Sequence, residues 1–213
     1  MKLIAAIGLV AGCAGVPLLA GCGPRFEAAD GAEQVVSAGP GLALPIPDAD
    51  YTGTFASMAC VPLVVPDHGA GAIGGVRVTV GIGHPCLSDL VTKVQSARGT
   101  VTTLMSRPCL AEPVDGYYAA NGCMADLAPS WPITFRDAST NDAEAMAATL
   151  GADQTACADD GVCEYHPNHG MGQGLGLTDF NGESPTGTWL VCVGDGAPGD
   201  EGTLESAALG VLP

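Results

Sequence analysis

The clearest pattern in the chain lies at 74–84, GGVRVTVGIGH. Here Val76, Val78, Val80 and Ile82 fall on one face and Arg77 and Thr79 on the other. Period-two alternation predicts a half-buried β-strand. The stretch 89–106, DLVTKVQSARGTVTTLMS, repeats it with Leu90, Thr92 and Val94 inward, and Arg98-Gly99 stands where a hairpin turn falls. In WPITFRD (131–137), Ile133 and Phe135 share a face. In TWLVCV (188–193), Trp189, Val191 and Val193 point together and Cys192 points the other way. GTLESAALGV (202–211) reads as a closing strand. Only DAEAMAATLGA (142–152) has helical character, with Asn141 as its expected N-cap.

Composition agrees with this reading. The 31 glycines and 16 prolines suit many turns between short strands. Together the signals predict an all-β domain, a jelly-roll-like β-sandwich of about eight short antiparallel strands. Hydrophobic residues make up 47% of the chain but aromatics only 5%, so Trp189 is an expected large body in an aliphatic core. The net charge of −16, with seven basic residues, excludes a nucleic-acid-binding surface, which needs Lys and Arg to neutralise phosphates. It suits a solvated extracytoplasmic surface, or one that collects divalent cations.

Residues 1–21, MKLIAAIGLVAGCAGVPLLAG, are not part of this fold. One lysine followed by an apolar run predicts a secretory signal, too short for a lasting membrane span. Its end, Leu19-Ala20-Gly21-Cys22, resembles a bacterial lipobox. That resemblance implies a lipid on Cys22 and an anchor in the bacterial cell envelope, on the outer membrane or cell surface. Residues 22–50 are rich in Gly, Ala, Pro and acid without a sustained period, and read as a flexible tether. The globular domain is then expected over 51–213.

The chain has nine cysteines. Setting aside Cys13 in the signal and Cys22 leaves seven in an exported chain, where disulfides form. Cys109 with Cys123 and Cys157 with Cys163 close short loops and are the expected pairs. Cys60, Cys86 and Cys192 remain, so one thiol is expected to stay free. Cys157, Cys163, His166 and His169 also offer two thiolates and two imidazoles to a zinc ion. Their spacing matches no zinc module, and in an oxidising compartment the thiols pair instead.

The motifs of common hydrolases are missing: there is neither Gly-x-Ser-x-Gly nor His-Glu-x-x-His. Asp67-His68 has no activated serine beside it in sequence, and His84-Pro85-Cys86 is only a faint hint of a cysteine nucleophile. A structural histidine at 84 and a non-catalytic chain are the expectations.

Two stretches carry a family pattern. IGHPCLSDLVTKVQSARGT (82–100) and LTDFNGESPTGTWLVCVGDGAPGDEGTLESAAL (177–209), with ITFRDAS between them, resemble the P domain, or P/Homo B domain. This domain follows the catalytic domain of kexin- and furin-like proprotein convertases and of some bacterial subtilisin-like proteases. His84, Asp89, Gly99-Thr100, Gly187, Trp189, Asp195 and Gly202 fall in the pattern's order, whereas Thr92, Ala97 and Ala207 depart from it. The resemblance implies a β-sandwich that steadies a protease without itself being catalytic. Gly99 and Gly202 are expected at turns needing positive φ.

Some domains of that family bind calcium. Asp89, Asp137 and Asp195 each flank a predicted strand, so the poles of a sandwich could gather them around one Ca²⁺, with Asp200 a weaker candidate. The expected function is a lipid-anchored, non-catalytic module for protein binding or scaffolding. The alternative is an accessory, stabilising subunit of a separate subtilisin-like serine protease. The expected partners are the membrane, through Cys22, and an extracytoplasmic protein.

Overall fold

The computed structural model describes residues 33–67, 71–118, 120 and 122–213. The signal segment, Cys22 and His68 lie outside the described residues. Those described form ten strands in two sheets: β1 Gln34–Ala38, β2 Leu44–Ile46, β3 Ala59–Val65, β4 Gly75–Gly83, β5 Leu90–Gln95, β6 Val101–Ser106, β7 Ile133–Phe135, β8 Glu164–Tyr165, β9 Gly187–Asp195 and β10 Gly202–Leu212. One sheet runs β1-β10-β4-β7-β8, with β2 also on β10; the other runs β3-β9-β5-β6. Every strand pair is antiparallel except β7 with β8. This is the all-β sandwich that the alternation predicts.

The core lies between the sheets. Val76, Val78, Val80 and Ile82 of β4 meet Ile133 and Phe135 of β7 and Trp189, Val191 and Val193 of β9 there. Trp189 is fully buried, packs edge-on against Phe180 at 5.0 Å, and donates its indole N–H to the Pro185 carbonyl (2.8 Å). A buried indole needs such an acceptor. Cys192 faces away, as period two requires, into a small second cluster with Tyr51, Met58 and Val91.

Three expectations change. The segment assigned to a tether is ordered from at least Gln34: β1 and β2 both pair with β10, and Val36 and Ile46 are buried. The domain therefore begins well before Tyr51. Each of these strands buries a single side chain and takes its stability from the β10 ladder, so no local alternation marks it. The helix expected over 142–152 is one 3-10 turn, Ala143–Ala145, capped by Asp142 rather than Asn141; the Asp142 carboxylate accepts from Glu144 N. Ala147 has φ of +57° and stops any continuation. Gly99 does take positive φ (+92°), at the β5–β6 turn, but Gly202 does not. A Cβ on Gly202 would come within 2.3 Å of the His84 ring, so close approach is what requires glycine there.

The three disulfides are Cys109–Cys123, Cys157–Cys163 and Cys60–Cys192. The first two are the expected short closures, and the third joins directly opposed residues of β3 and β9. Cys86 is left as a buried free thiol. With Cys157 and Cys163 bonded to each other, the two-thiolate zinc set is dissolved.

Candidate functional site

The polar residues of interest gather at one end of the sandwich, where β4 passes through the short turn Leu87–Asp89 into β5 and meets the end of β9. Leu90 stands opposite Asp195 in the β5–β9 ladder, which sets Asp89 beside Asp195. His84 Nδ1 accepts from Cys86 N (3.1 Å), so its proton sits on Nε2, which donates to Asp195 Oδ2 (3.2 Å). The other Asp195 oxygen accepts from Ala197 N (2.9 Å). Both side chains are fully buried and satisfied. His84 is thus the structural histidine expected, and its free lone pair is spent on backbone, not on the Cys86 thiol. Burial pushes that thiol above its ordinary value, a poor setting for a nucleophile.

Arg107 lies beneath this cluster with no exposure, at positive φ (+57°). Its guanidinium donates to the carbonyls of Ser88 (3.1 Å), Ala120 (3.0 Å) and Tyr118. Burial lowers its pKa, and the charges of Asp89, Glu112 and Asp195 oppose that shift. Lys93, equally buried in β5, donates to Asp115 Oδ2 (2.8 Å) and to the Gly53 carbonyl (3.1 Å). The Tyr51 hydroxyl donates to the other Asp115 oxygen, and burial followed by Asp115 raises its pKa. Gly53 is required at +85°, since a Cβ there would come within 2.5 Å of the Asp115 carbonyl.

These contacts fix the loop 113–118 from below. Tyr118 N also donates to the Gly196 carbonyl (3.0 Å). Above, the loop shows apolar surface: Val114 is 50% exposed, Tyr117 51% and Tyr118 38%. The result is a turn, tied to the body at Asp115 and at the Tyr118 backbone, that presents two tyrosines and a valine. Two buried cations hold it, and neither was singled out in the sequence. A lysine within the apolar run of β5 was the available signal.

No family model matches the chain, and no curated protein matches it. Among solved structures, the chain is similar to the serine protease of Aeromonas sobria, at 18% identity and a TM-score of 0.45. The alignment covers 84% of this chain and 26% of the protease. The same protease in its complex with the chaperone ORF2 gives the same figures. The chain thus spans about a quarter of that protein's length, and at this level the likeness carries no argument about activity or partner.

The three carboxylates expected to share a calcium ion do not converge. Asp137 follows β7 in the other sheet and lies by the Gly75–Arg77 end of β4, whereas Asp195 meets His84 beyond the opposite end. At the usual rise per residue the two are about 20 Å apart. Asp137 instead accepts from Leu177 N (2.9 Å) and Thr178 N (2.6 Å), capping the turn Leu177–Phe180. With both Asp195 oxygens engaged, only Asp89 of the three is open to a ligand. Calcium takes six to eight oxygens, so this set does not fit it.

Next to Arg107, at the end of β6, Ser106 joins two acids. Its N–H donates to Glu144 Oε1 (2.8 Å) and its hydroxyl to Glu112. Burial pushes Glu144 up to about 8, with Glu112 and Asp142 adding and the Ser106 N–H opposing. The folded protein therefore holds this proton more tightly than the unfolded chain, and the sign of the linkage follows. The contribution is full below about pH 4.5 and declines as pH rises towards 8, by at most about 1.4 kcal/mol per pH unit. Urea midpoints at pH 5 and pH 8 check this. Wild type should lose stability across the interval, and Glu144→Gln, which keeps the acceptor for Ser106, should lose clearly less. Equal losses would refute the assignment.

Proposed function

We propose that this chain is a non-catalytic, lipid-anchored module of the bacterial envelope that binds or scaffolds another extracytoplasmic protein. The loop 113–118 carries the reading. Tyrosine side chains give large contact area at small entropic cost, and a loop already fixed loses little more on binding. Three disulfides suit an exported setting, and Cys22 would supply the tether to the membrane. A second reading makes the partner a separate subtilisin-like serine protease, with this chain as its accessory subunit. The P-domain pattern at 82–100 and 177–209 favours it.

A photo-cross-linking amino acid placed at 117 in the full-length, membrane-bound protein tests the proposal. The expected result is one discrete adduct, lost when Tyr118 is also changed to alanine. The same group at Val64, exposed on β3 at 62%, should give no such adduct. Equal labelling from both positions sinks the binding reading. A protease in the adduct selects the accessory role, and another protein selects the scaffold.

A further inference from the structure

We infer that Cys86, Asp89 and Asp200 form a binding site for one thiophilic divalent cation of the zinc class. A thiol sulfur and one oxygen from each of two carboxylates lie within 4.8 Å of one another. Ligands of a tetrahedral zinc ion stand about 3.3–3.8 Å apart, so an inward movement of about 1 Å would close the set.

The independent observation is at Asp89. The residue is 3% exposed, and its Oδ1 is buried without a well-formed hydrogen bond; the Cys86 thiol, a weak donor, is the side-chain partner its carboxylate has. A carboxylate oxygen left so is costly, and the buried polar groups of folded proteins are nearly all satisfied. A cation seated between Asp89 and the thiol would meet that need. Every other described cysteine is committed to a disulfide, so among the described residues Cys86 alone keeps a thiol. Met124 Sδ is 3.8 Å from its sulfur, and Ser88 Oγ is 3.3 Å away. Met124 is 37% exposed and Asp200 half-buried, which gives an ion a way in from solvent.

The donor set decides the metal. Sulfur donors disfavour calcium and magnesium, which take oxygen, whereas a thiolate with carboxylates suits zinc and its substitutes cobalt and cadmium. On binding, the thiol proton leaves to solvent and a metal–sulfur bond replaces the S–H bond. The supporting shell is in place: Gly196 N donates to the Asp89 carbonyl (2.8 Å) and Gly122 N to Ser88 Oγ (3.1 Å). This site is separate from the tyrosine loop and does not rest on the binding role proposed for it.

The test uses full-length, disulfide-bonded protein freed of metal by a chelator and titrated with Co²⁺. The expected result is a near-ultraviolet thiolate-to-cobalt band saturating at one ion per chain. Zn²⁺ should abolish it, and millimolar Ca²⁺ should leave it unchanged. Zn²⁺ should also slow modification of Cys86 by a thiol reagent in denaturant-free buffer. Cys86→Ser should lose the band, and Asp200→Asn should weaken binding about 10-fold or more. Should Cys86→Ser fail to fold, the half-buried Asp200→Asn decides. Absence of the band in folded wild type, its displacement by Ca²⁺, or unchanged affinity in Asp200→Asn would each overturn the inference.

Discussion

Replacing Cys60 and Cys192 together by alanine is expected to lower the unfolding free energy by about 4–5 kcal/mol and the melting temperature by about 10–15 °C. The bridge links residues 132 apart in sequence. It therefore removes more freedom from the unfolded chain than Cys157–Cys163 or Cys109–Cys123, which span 6 and 14 residues. The same reasoning assigns those two about 2 and 3 kcal/mol. In the folded state the bridge closes the outer face of the four-stranded sheet, where Tyr51, Met58 and Val91 cover it. Alanine keeps that face apolar, so the loss measures the cross-link rather than a buried hydroxyl. Urea unfolding of the double variant beside wild type checks the prediction. A difference under about 1 kcal/mol would mean that the β3–β9 ladder holds the two strands together without the bond.

What could be read from the sequence followed from which faces are buried. Val76 to Ile82 and Trp189 to Val193 each turn alternate side chains into the main core, so alternation exposed both strands and correctly set Cys192 on the opposite face of β9. β3 shows the limit. Its ACVPLVV is nearly continuous in apolar residues and holds Pro62, a signal against a strand, yet Val61, Leu63 and Val65 are buried as a regular alternation. Short disulfides were legible because their loops are short, whereas the Cys60–Cys192 pair depends on a ladder register that local pattern does not carry.

The candidate site divides in the same way. Asp89 and Asp195 could be placed together because both stand at ends of predicted strands, and the β5–β9 register brings them side by side. Asp137 also flanks a strand, but β7 belongs to the other sheet and delivers it to the opposite end. Cys86 could be counted as one of three candidates for an odd thiol, but not chosen among them. Arg107 and Lys93 escaped notice because a buried cation and a solvated one look alike in sequence. Burial here is a property of the loops folded over them.

Arg107→Met is the substitution expected to combine the largest local and functional effects. It should destabilise the protein by about 3–5 kcal/mol, the range for removing one partner from a buried charged network. Methionine fills much of the same volume, so the deficit reports lost hydrogen bonds more than a cavity. The carbonyls of Ser88, Tyr118 and Ala120 would lose their donor, and the charges of Asp89, Glu112 and Asp195 would lose the cation that offsets them. Arg107→Lys should recover only part of the loss, because an ammonium cannot reach three carbonyls set in a planar fork. The loop should respond beyond the global change. Exchange of the Tyr118 amide, bonded to the Gly196 carbonyl, should quicken more than exchange of the β4 amides in the same variant. Cross-linking from position 117 should weaken in parallel, since a freed loop must be ordered again on binding. Uniform quickening across both regions would show Arg107 to be a stability element only, and would separate the fold's need for this cation from the loop's.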